Sequence, residues 1–230
     1  MISVEEIQEG KVFLIDKPLD WTSFDVVNKV RWNIKKSFKL KKIKVGHAGT
    51  LDPKATGLLI LCTGKFTKKI DEIQAESKVY TGTFKLGVTT PTYDTESEEN
   101  EIFPTEHISE ELIHQTTQEF IGEIEQFPPA HSAVKVDGKR LYELARAGKE
   151  VELKPRKISI YEFKITKIEM PFVEFEVHCG KGTYIRSLAN DFGKALNSGA
   201  YLTELRRTKV GDFSVENADN APLEITYFES

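Results

Sequence analysis

Asp52 stands in the segment Lys44-Val45-Gly46-His47-Ala48-Gly49-Thr50-Leu51-Asp52-Pro53-Lys54-Ala55-Thr56-Gly57. Pro53 fixes its own φ and pushes the preceding aspartate away from helical geometry. The apolar run Leu58-Leu59-Ile60-Leu61-Cys62 follows and reads as a buried strand. A polar loop set against core is a platform that can present a reactive carboxylate. Four tasks suit such a group: nucleophile, general acid–base, metal ligand, or hydrogen-bonding partner of its own turn. The metal reading is short of ligands, because only His47 is at hand. Two more segments carry unusual polar content. Tyr80 lies between Val79 and Thr81, and Gly180-Lys181-Gly182-Thr183-Tyr184-Ile185-Arg186-Ser187-Leu188 places an aromatic and a guanidinium ahead of a helix. Arg186 at a helix start opposes the macrodipole, which favours a carboxylate or other anion beside it. Taken singly, Tyr80 and Tyr184 also suit a core or rim, His47 a structural hydrogen bond, and Arg186 a surface. No Ser-His-Asp motif, Walker loop or GxGxxG occurs.

The charge is sharply segregated behind a net value of −4. Twelve basic residues lie between Val26 and Lys69, among them Lys29, Arg31, Lys35, Lys36, Lys39, Lys41, Lys42 and Lys44, opposed only by Asp52. Eleven acidic residues and no Lys or Arg lie between Tyr93 and Gln126. One acid inside a basic segment suggests a polyanion brought to that acid, while a solvated face explains the charges equally well. The 230 residues, 39% hydrophobic and 30% charged, suit a globular protein with a real core. No apolar run approaches a membrane span, and the acidic N-terminus is unlike a signal peptide, so a cytoplasmic protein is expected. Cys62 and Cys179 read as reduced core thiols, with no CxxC or His-Cys cluster to support a metal or redox pair.

The elements that must position these residues can be read from periodicity. A strand is expected over Lys11–Asp16. A capping box at Thr22-Ser23-Phe24-Asp25 starts a helix with Phe24, Val27, Val30 and Ile34 inward, ending near Lys36. Lys39–Lys44 reads as a basic loop or short strand, and Gly64–Gln74 as a short helix. Lys78–Gly87 alternates as a strand, and Val88–Thr105 is an acidic loop expected to be mobile. Ser109 caps a helix carrying Leu112, Ile113 and Phe120. A helix is expected over Arg140–Ala147, ended by Gly148. Paired strands are expected at Lys157–Ile168 and Val173–Cys179, a helix at Arg186–Leu196, and a final strand at Tyr201–Gly211. The fold class is α+β, with a mixed, mostly antiparallel sheet flanked by helices and loops.

Six stretches in order resemble one family. Gly46-His47-Ala48-Gly49-Thr50-Leu51-Asp52-Pro53 with Thr56-Gly57 is similar to the catalytic motif of the TruB family of pseudouridine synthases. Asp16-Lys17-Pro18 with Trp21-Thr22-Ser23, Lys78-Val79-Tyr80, and Pro128-Pro129 through Ser132-Ala133-Val134-Lys135 to Gly138-Lys139-Arg140-Leu141-Tyr142 resemble further family motifs. So do Lys181-Gly182-Thr183-Tyr184-Ile185-Arg186-Ser187-Leu188 and Leu205-Arg206-Arg207-Thr208. They cover about residues 10–213, which implies one catalytic domain of the pseudouridine synthase fold across 1–230.

The resemblance implies an isomerase, an intramolecular transferase, that converts uridine-55 in the T-loop of tRNA to pseudouridine without cofactor or metal. It implies Asp52 as nucleophile, with attack on sugar, attack on base and a glycal route all open. Arg186 would pair with Asp52, Tyr80 would stack on the base and assist proton transfer, and His47 would stabilise the flipped RNA. Tyr184 and the Leu205 backbone would line the uracil pocket, with Lys17 and Asp94 also at the substrate. The target base must leave its stack. Arg31 and the lysines from Lys35 to Lys44 would hold RNA phosphates. About fifteen residues follow Ser214, too few for the RNA-binding PUA domain of many relatives. That departure points to a monomer acting on the T-arm without guide RNA. The alternatives are a tRNA-folding or binding protein independent of catalysis, and a synthase for another RNA uridine. Arg-Leu-Asp usually precedes the nucleophile in the ribosomal RNA families, whereas Thr50-Leu51-Asp52-Pro53 stands here.

Overall fold

The computed structural model describes residues 2–129 and 153–220, together with the paired backbones of 135–136 and 139–140. In chain order the helices are α1 (Val4–Glu9), α2 (Ser23–Ser37), α3 (Ile70–Ala75), α4 (Glu110–Gln118) and α5 (Ile185–Ala195). The strands are β1 (Val12–Lys17), β2 (Val45–His47), β3 (Ala55–Thr63), β4 (Lys78–Leu86), β5 (Val88–Thr89), β6 (Glu101–Ile102) and β7 (Gly122–Gln126). They continue with β8 (Lys135–Val136), β9 (Lys139–Arg140), β10 (Arg156–Glu169), β11 (Phe172–Cys179), β12 (Ala200–Val210), β13 (Phe213–Ser214) and β14 (Asp219–Asn220). Two compact units emerge: residues up to Tyr80 with those from Leu205 onward, and Thr81–Glu204.

In the first unit the strands run β14-β1-β3-β12, with β2 on β3 and β13 on β12. β3 is antiparallel to β1, from Val12 opposite Cys62 to Lys17 opposite Gly57, and parallel to β12, with Arg207 opposite Gly57. Leu58, Leu59, Ile60, Leu61 and Cys62 are wholly buried. Both faces of β3 are therefore covered, which explains an unbroken apolar run where a half-exposed strand would alternate. Ala48, Leu58, Ile60 and Val210 form a core cluster that Val12, Leu14, Ile70, Ile73 and Phe213 close.

Helix α2 begins with the expected capping box between Thr22 and Asp25. Its buried stripe is Ser23, Val26, Val27, Val30 and Ile34. Phe24, expected inward, is 62% exposed. The small Ser23 turns inward in its place, because its hydroxyl bonds the Asp52 loop. The strand near the basic loop starts only at Val45. Gly64–Lys69 is a 3-10 turn leading into α3, so the expected helix is split.

In the second unit the order is β4-β11-β10-β7, and β10 is antiparallel to both neighbours. Its core is aromatic: Phe84 stacks on Phe175 at 4.1 Å, and Phe163, Phe192 and Phe120 pack edgewise or tilted around them. The segment expected as a loop after Gly87 contains the β5–β6 ladder and buries Thr90, Thr92 and Asp94. Short strands β13 and β14 follow β12, so β12 is not the final strand. The expected helix at Arg140–Ala147 lies outside the described residues. Cys62 and Cys179 are free and buried. Among the described residues no helix is long and apolar enough to cross a membrane.

Candidate active site

Asp52 lies half-buried in the turn between β2 and β3. The turn is anchored at many points. The Ser23 hydroxyl accepts from the Leu51 N–H at 2.8 Å and donates to the Leu51 carbonyl at 3.0 Å. The Ala55 N–H donates to the Asp52 carbonyl at 3.0 Å, and the Asp20 N–H to the Pro53 carbonyl at 2.9 Å. Lys54 pairs with Asp20 at 2.7 Å. The backbone of Asp52 is thus held from α2, from the β1–α2 turn and from β3, which leaves its carboxylate to be aimed by a rigid frame.

Two buried cations sit under this frame. Lys17 is fully buried, and its ammonium donates to the carbonyls of Trp21 at 2.6 Å, Pro18 at 3.0 Å and Pro53 at 3.4 Å. Burial pushes its pKa down to about 8, against the pull of the Asp52 and Asp20 carboxylates. Lys17 was expected at the substrate; its three donors are spent on backbone, so its task here is to shape the loop. Arg207 is 1% exposed and was not singled out by sequence reasoning beyond its place in a motif. Its Nε donates to the Leu58 carbonyl at 2.8 Å and its Nη2 to the Gly49 carbonyl at 3.1 Å. One side chain therefore closes both ends of the Asp52 turn.

Two glycines make that closure possible. Gly57, at φ 99°, lies so near the Arg207 backbone that a Cβ would stand 2.3 Å from its carbonyl oxygen. Gly49, at φ 97°, would place a Cβ 3.4 Å from the guanidinium. Any side chain at Gly57 would force β3 and β12 apart. The signal for Arg207 was present in the sequence as two glycines flanking the turn, but only strand pairing shows what approaches them.

His47, on β2, is half-buried, and its Nδ1 is buried without a hydrogen-bond partner. Burial lowers its pKa, the Arg207 charge lowers it further, and the nearby Gly49 backbone opposes them. The imidazole is accordingly neutral at neutral pH. Leu205, half-buried on β12, is opposite Ala55, and its carbonyl accepts from the Thr56 hydroxyl at 3.4 Å. In the first unit the Asp52 turn and Leu205 lie at the Ala55 end of β3, whereas His47 on β2 stands opposite Leu61, farther along the strand. Tyr80 is buried at the end of this unit's part of β4. Arg206 makes a two-point ion pair with Asp16 at 3.0 and 2.6 Å, tying β12 to β1.

In the second unit Arg186 and Asp94 are 5% and 3% exposed, and the Arg186 Nε lies 3.5 Å from Asp94 Oδ2. Arg186 also donates to the Thr92 carbonyl at 3.3 Å. Asp94 Oδ1 accepts from the Thr92 hydroxyl at 2.6 Å and the Glu96 N–H at 2.9 Å. Asp94 was expected to contact the flipped base; its carboxylate is committed to Arg186 and to its own turn. Arg186, placed against the α5 dipole, finds the compensating carboxylate its position demands. Tyr184, the N-cap of α5, is clamped by Gln126, which accepts from the Tyr184 N–H at 2.8 Å and donates to its carbonyl at 3.1 Å. Sequence reasoning missed Gln126, whose only signal is a polar residue ending a strand ahead of Phe127-Pro128-Pro129.

Of the residues expected on RNA phosphates, Lys35, Lys36, Lys39, Lys41, Lys42 and Lys44 are exposed. Arg31 is half-buried and donates to Asn28 Oδ1 at 2.9 Å and to the Val45 carbonyl at 3.1 Å, which staples α2 to β2. Among the described residues no group of three His, Cys, Asp or Glu side chains could hold a metal ion.

The geometry can be set beside known proteins. The family model described as TruB family pseudouridylate synthase, N-terminal domain, matches residues 35–185. This chain belongs to the TruB family. The model for the tRNA pseudouridylate synthase B C-terminal domain matches residues 186–224. The chain is 60% identical to the tRNA pseudouridine synthase B of Flavobacterium johnsoniae, over 98% of this chain and 97% of that one. It is 54% identical to that of Chloroherpeton thalassium, over 92% and 87%. Among solved structures it is similar to a Cbf5-Nop10-Gar1 complex chain, with TM-score 0.66 and 36% identity over 90% of this chain. An H/ACA RNP bound to a substrate RNA containing 2'-deoxyuridine gives TM-score 0.65 and 32% identity over 93%. The chain spans about half the length of those two structural neighbours. The fold is that of pseudouridine synthases, and the protein is an isomerase.

For this TruB-family enzyme the Arg207 geometry carries a specific expectation. Arg207→Gln should lower kcat by about a hundredfold, since a loosened turn misplaces the carboxylate. Binding of RNA should change by less than about threefold, because Arg207 is 1% exposed and bonds only backbone carbonyls in these contacts. Arg207→Lys, which keeps the charge and loses the fork, should recover part of kcat. Single-turnover kinetics with a parallel binding titration checks this; a loss confined to affinity would count against it.

Proposed function

We propose that this enzyme isomerises uridine-55 in the T-loop of tRNA to pseudouridine, with Asp52 as the nucleophile. The observation that carries the reading is a half-buried carboxylate on a turn closed at both ends by one buried guanidinium. The names of the relatives, tRNA pseudouridine synthase B, support tRNA as the substrate class. The N1–C1′ bond of the uridine breaks, the uracil turns while held, and a C5–C1′ bond forms to the same ribose. The C5 proton leaves and N1 regains one, so there is no net redox change and no cofactor is needed.

The roles follow the residue types. Asp52 forms and releases a covalent adduct with the substrate. Arg186, anchored by Asp94, supplies the positive charge that keeps the reacting carboxylate ionised and aimed. Tyr80 stacks on the displaced base and assists proton transfer. The neutral His47, whose Nδ1 lacks a partner within the protein, stabilises the flipped nucleotide. Tyr184 and the Leu205 backbone hold the uracil. The exposed lysines from Lys35 to Lys44 take RNA phosphates. The enzyme acts as a monomer in the cytoplasm, with residues 10–213 as its catalytic domain and no guide RNA.

Tritium release from 5-tritiated uridine in a T-arm stem-loop tests this reading. Release is expected from an RNA labelled at position 55, and none once that uridine is replaced by cytidine. Release from another uridine at a comparable rate would overturn the assignment of the target.

A further inference from the structure

We propose that the outward face of α2, from Phe24 to Lys36, is a docking surface for the RNA stem beyond the reacting nucleotide, centred on Trp32. This rests on the RNA-isomerase reading above. Trp32 is 55% exposed in the middle of the helix, and Phe24, two turns earlier, is 62% exposed. The ammonium groups of Lys29 and Lys36 lie 5.4 and 4.9 Å from the Trp32 ring centroid. These lysines stand three residues before and four after the tryptophan, so all three share one face. The indole gathers two cations that would otherwise range freely, which lowers the entropy lost when a phosphate binds between them.

A merely solvated helix face carries mixed charge, with acids placed to pair the lysines. On the Phe24–Lys36 stretch the one acid is Asp25, four residues before Lys29, and none occurs between Val26 and Leu51. The two acids at the start of the helix region are used internally: Asp20 pairs with Lys54, and Asp25 completes the capping box with Thr22. A polyanion complements this face, and exposed aromatics among cations suit nucleic acid in particular. The helix meets the Asp52 turn at its N-terminal end, where the inward Ser23 bonds Leu51 on both sides. From Phe24 to Lys36 the helix carries its cations about 18 Å away from that end. A stem leading from a base reacting at Asp52 would lie along it.

The test compares wild type, Trp32→Ala, Trp32→Phe and Lys29→Ala/Lys36→Ala on two RNAs, a T-arm with its full stem and one with the stem cut to two base pairs. Because Trp32 is exposed, each variant should fold with an unchanged melting temperature. On the full stem, Trp32→Ala should weaken binding by about fivefold with kcat at saturation unchanged, and Trp32→Phe should restore most of the affinity. The double lysine variant should flatten the slope of log K against log salt by about 1.5. On the short stem all four proteins should bind alike. Equal affinities and slopes on the full stem, or equal losses on both RNAs, would overturn the surface. Failure of the activity reading shows separately, as absent tritium release by the wild type.

Discussion

Asp52→Asn is expected to abolish pseudouridine formation in a T-arm stem-loop while leaving RNA affinity within about tenfold. Asparagine has nearly the same shape, so the turn keeps its anchors: the Ser23–Leu51 bonds, the Lys17–Pro53 bond and the Arg207 fork all involve backbone of the turn rather than the Asp52 side chain. What disappears is the carboxylate of the proposed nucleophile, and an amide cannot replace it in forming an ester-like adduct. The loss should therefore fall on kcat and not on binding. Tritium release with a parallel filter-binding titration measures both, and product formed at near the normal rate would sink the nucleophile assignment. A protein that only binds or folds RNA would show no difference between the two forms.

Asp94→Ala is expected to destabilise the Thr81–Glu204 unit by about 3 kcal/mol, the usual cost of removing one partner of a buried ion pair. Arg186 and Asp94 are both nearly inaccessible to water, so solvent cannot take the place of the lost carboxylate beside the guanidinium. The Thr92 hydroxyl and the Glu96 N–H lose their acceptor as well. Asp94→Asn keeps an oxygen for those two donors and should cost only about 1 kcal/mol. Given the role proposed for Arg186, activity should drop in both variants, more in the alanine form, because its guanidinium is left less well held. Urea denaturation of the two variants checks the order. Equal stability of wild type and Asp94→Ala would show that the pair is not what organises this turn.

Much of this was legible in the sequence because it depends on neighbours in the chain. The capping box at Thr22, the buried strand after the Asp52 turn, and the β10–β11 pair around Met170-Pro171 follow from local spacing. Phe24 shows where such reading fails: periodicity assigns an apolar residue to the core, yet a serine one position earlier takes the inward place because a loop twenty-eight residues away needs its hydroxyl. Lys17 and Asp94 fail in the same manner. Each is a charged residue in a motif or an acidic loop, which suggests an external partner, and each is engaged by internal carbonyls or an internal ion pair.

The sequence by itself determined which groups are available: an aspartate in a proline-bounded turn, a tyrosine in a strand, an arginine at a helix start, and a basic segment empty of other acids. Those are matters of residue type and local spacing, and local physics suffices for them. The tertiary structure alone decided how they are held. That Arg207 reaches Leu58 and Gly49, that Arg186 meets Asp94, and that Gln126 clamps Tyr184 are contacts between residues 58 to 158 positions apart. Such contacts depend on strand order and on the close approach that Gly57 allows. Buried charge makes them decisive, since a cation taken out of water must find its carbonyl or carboxylate partners wherever the fold puts them.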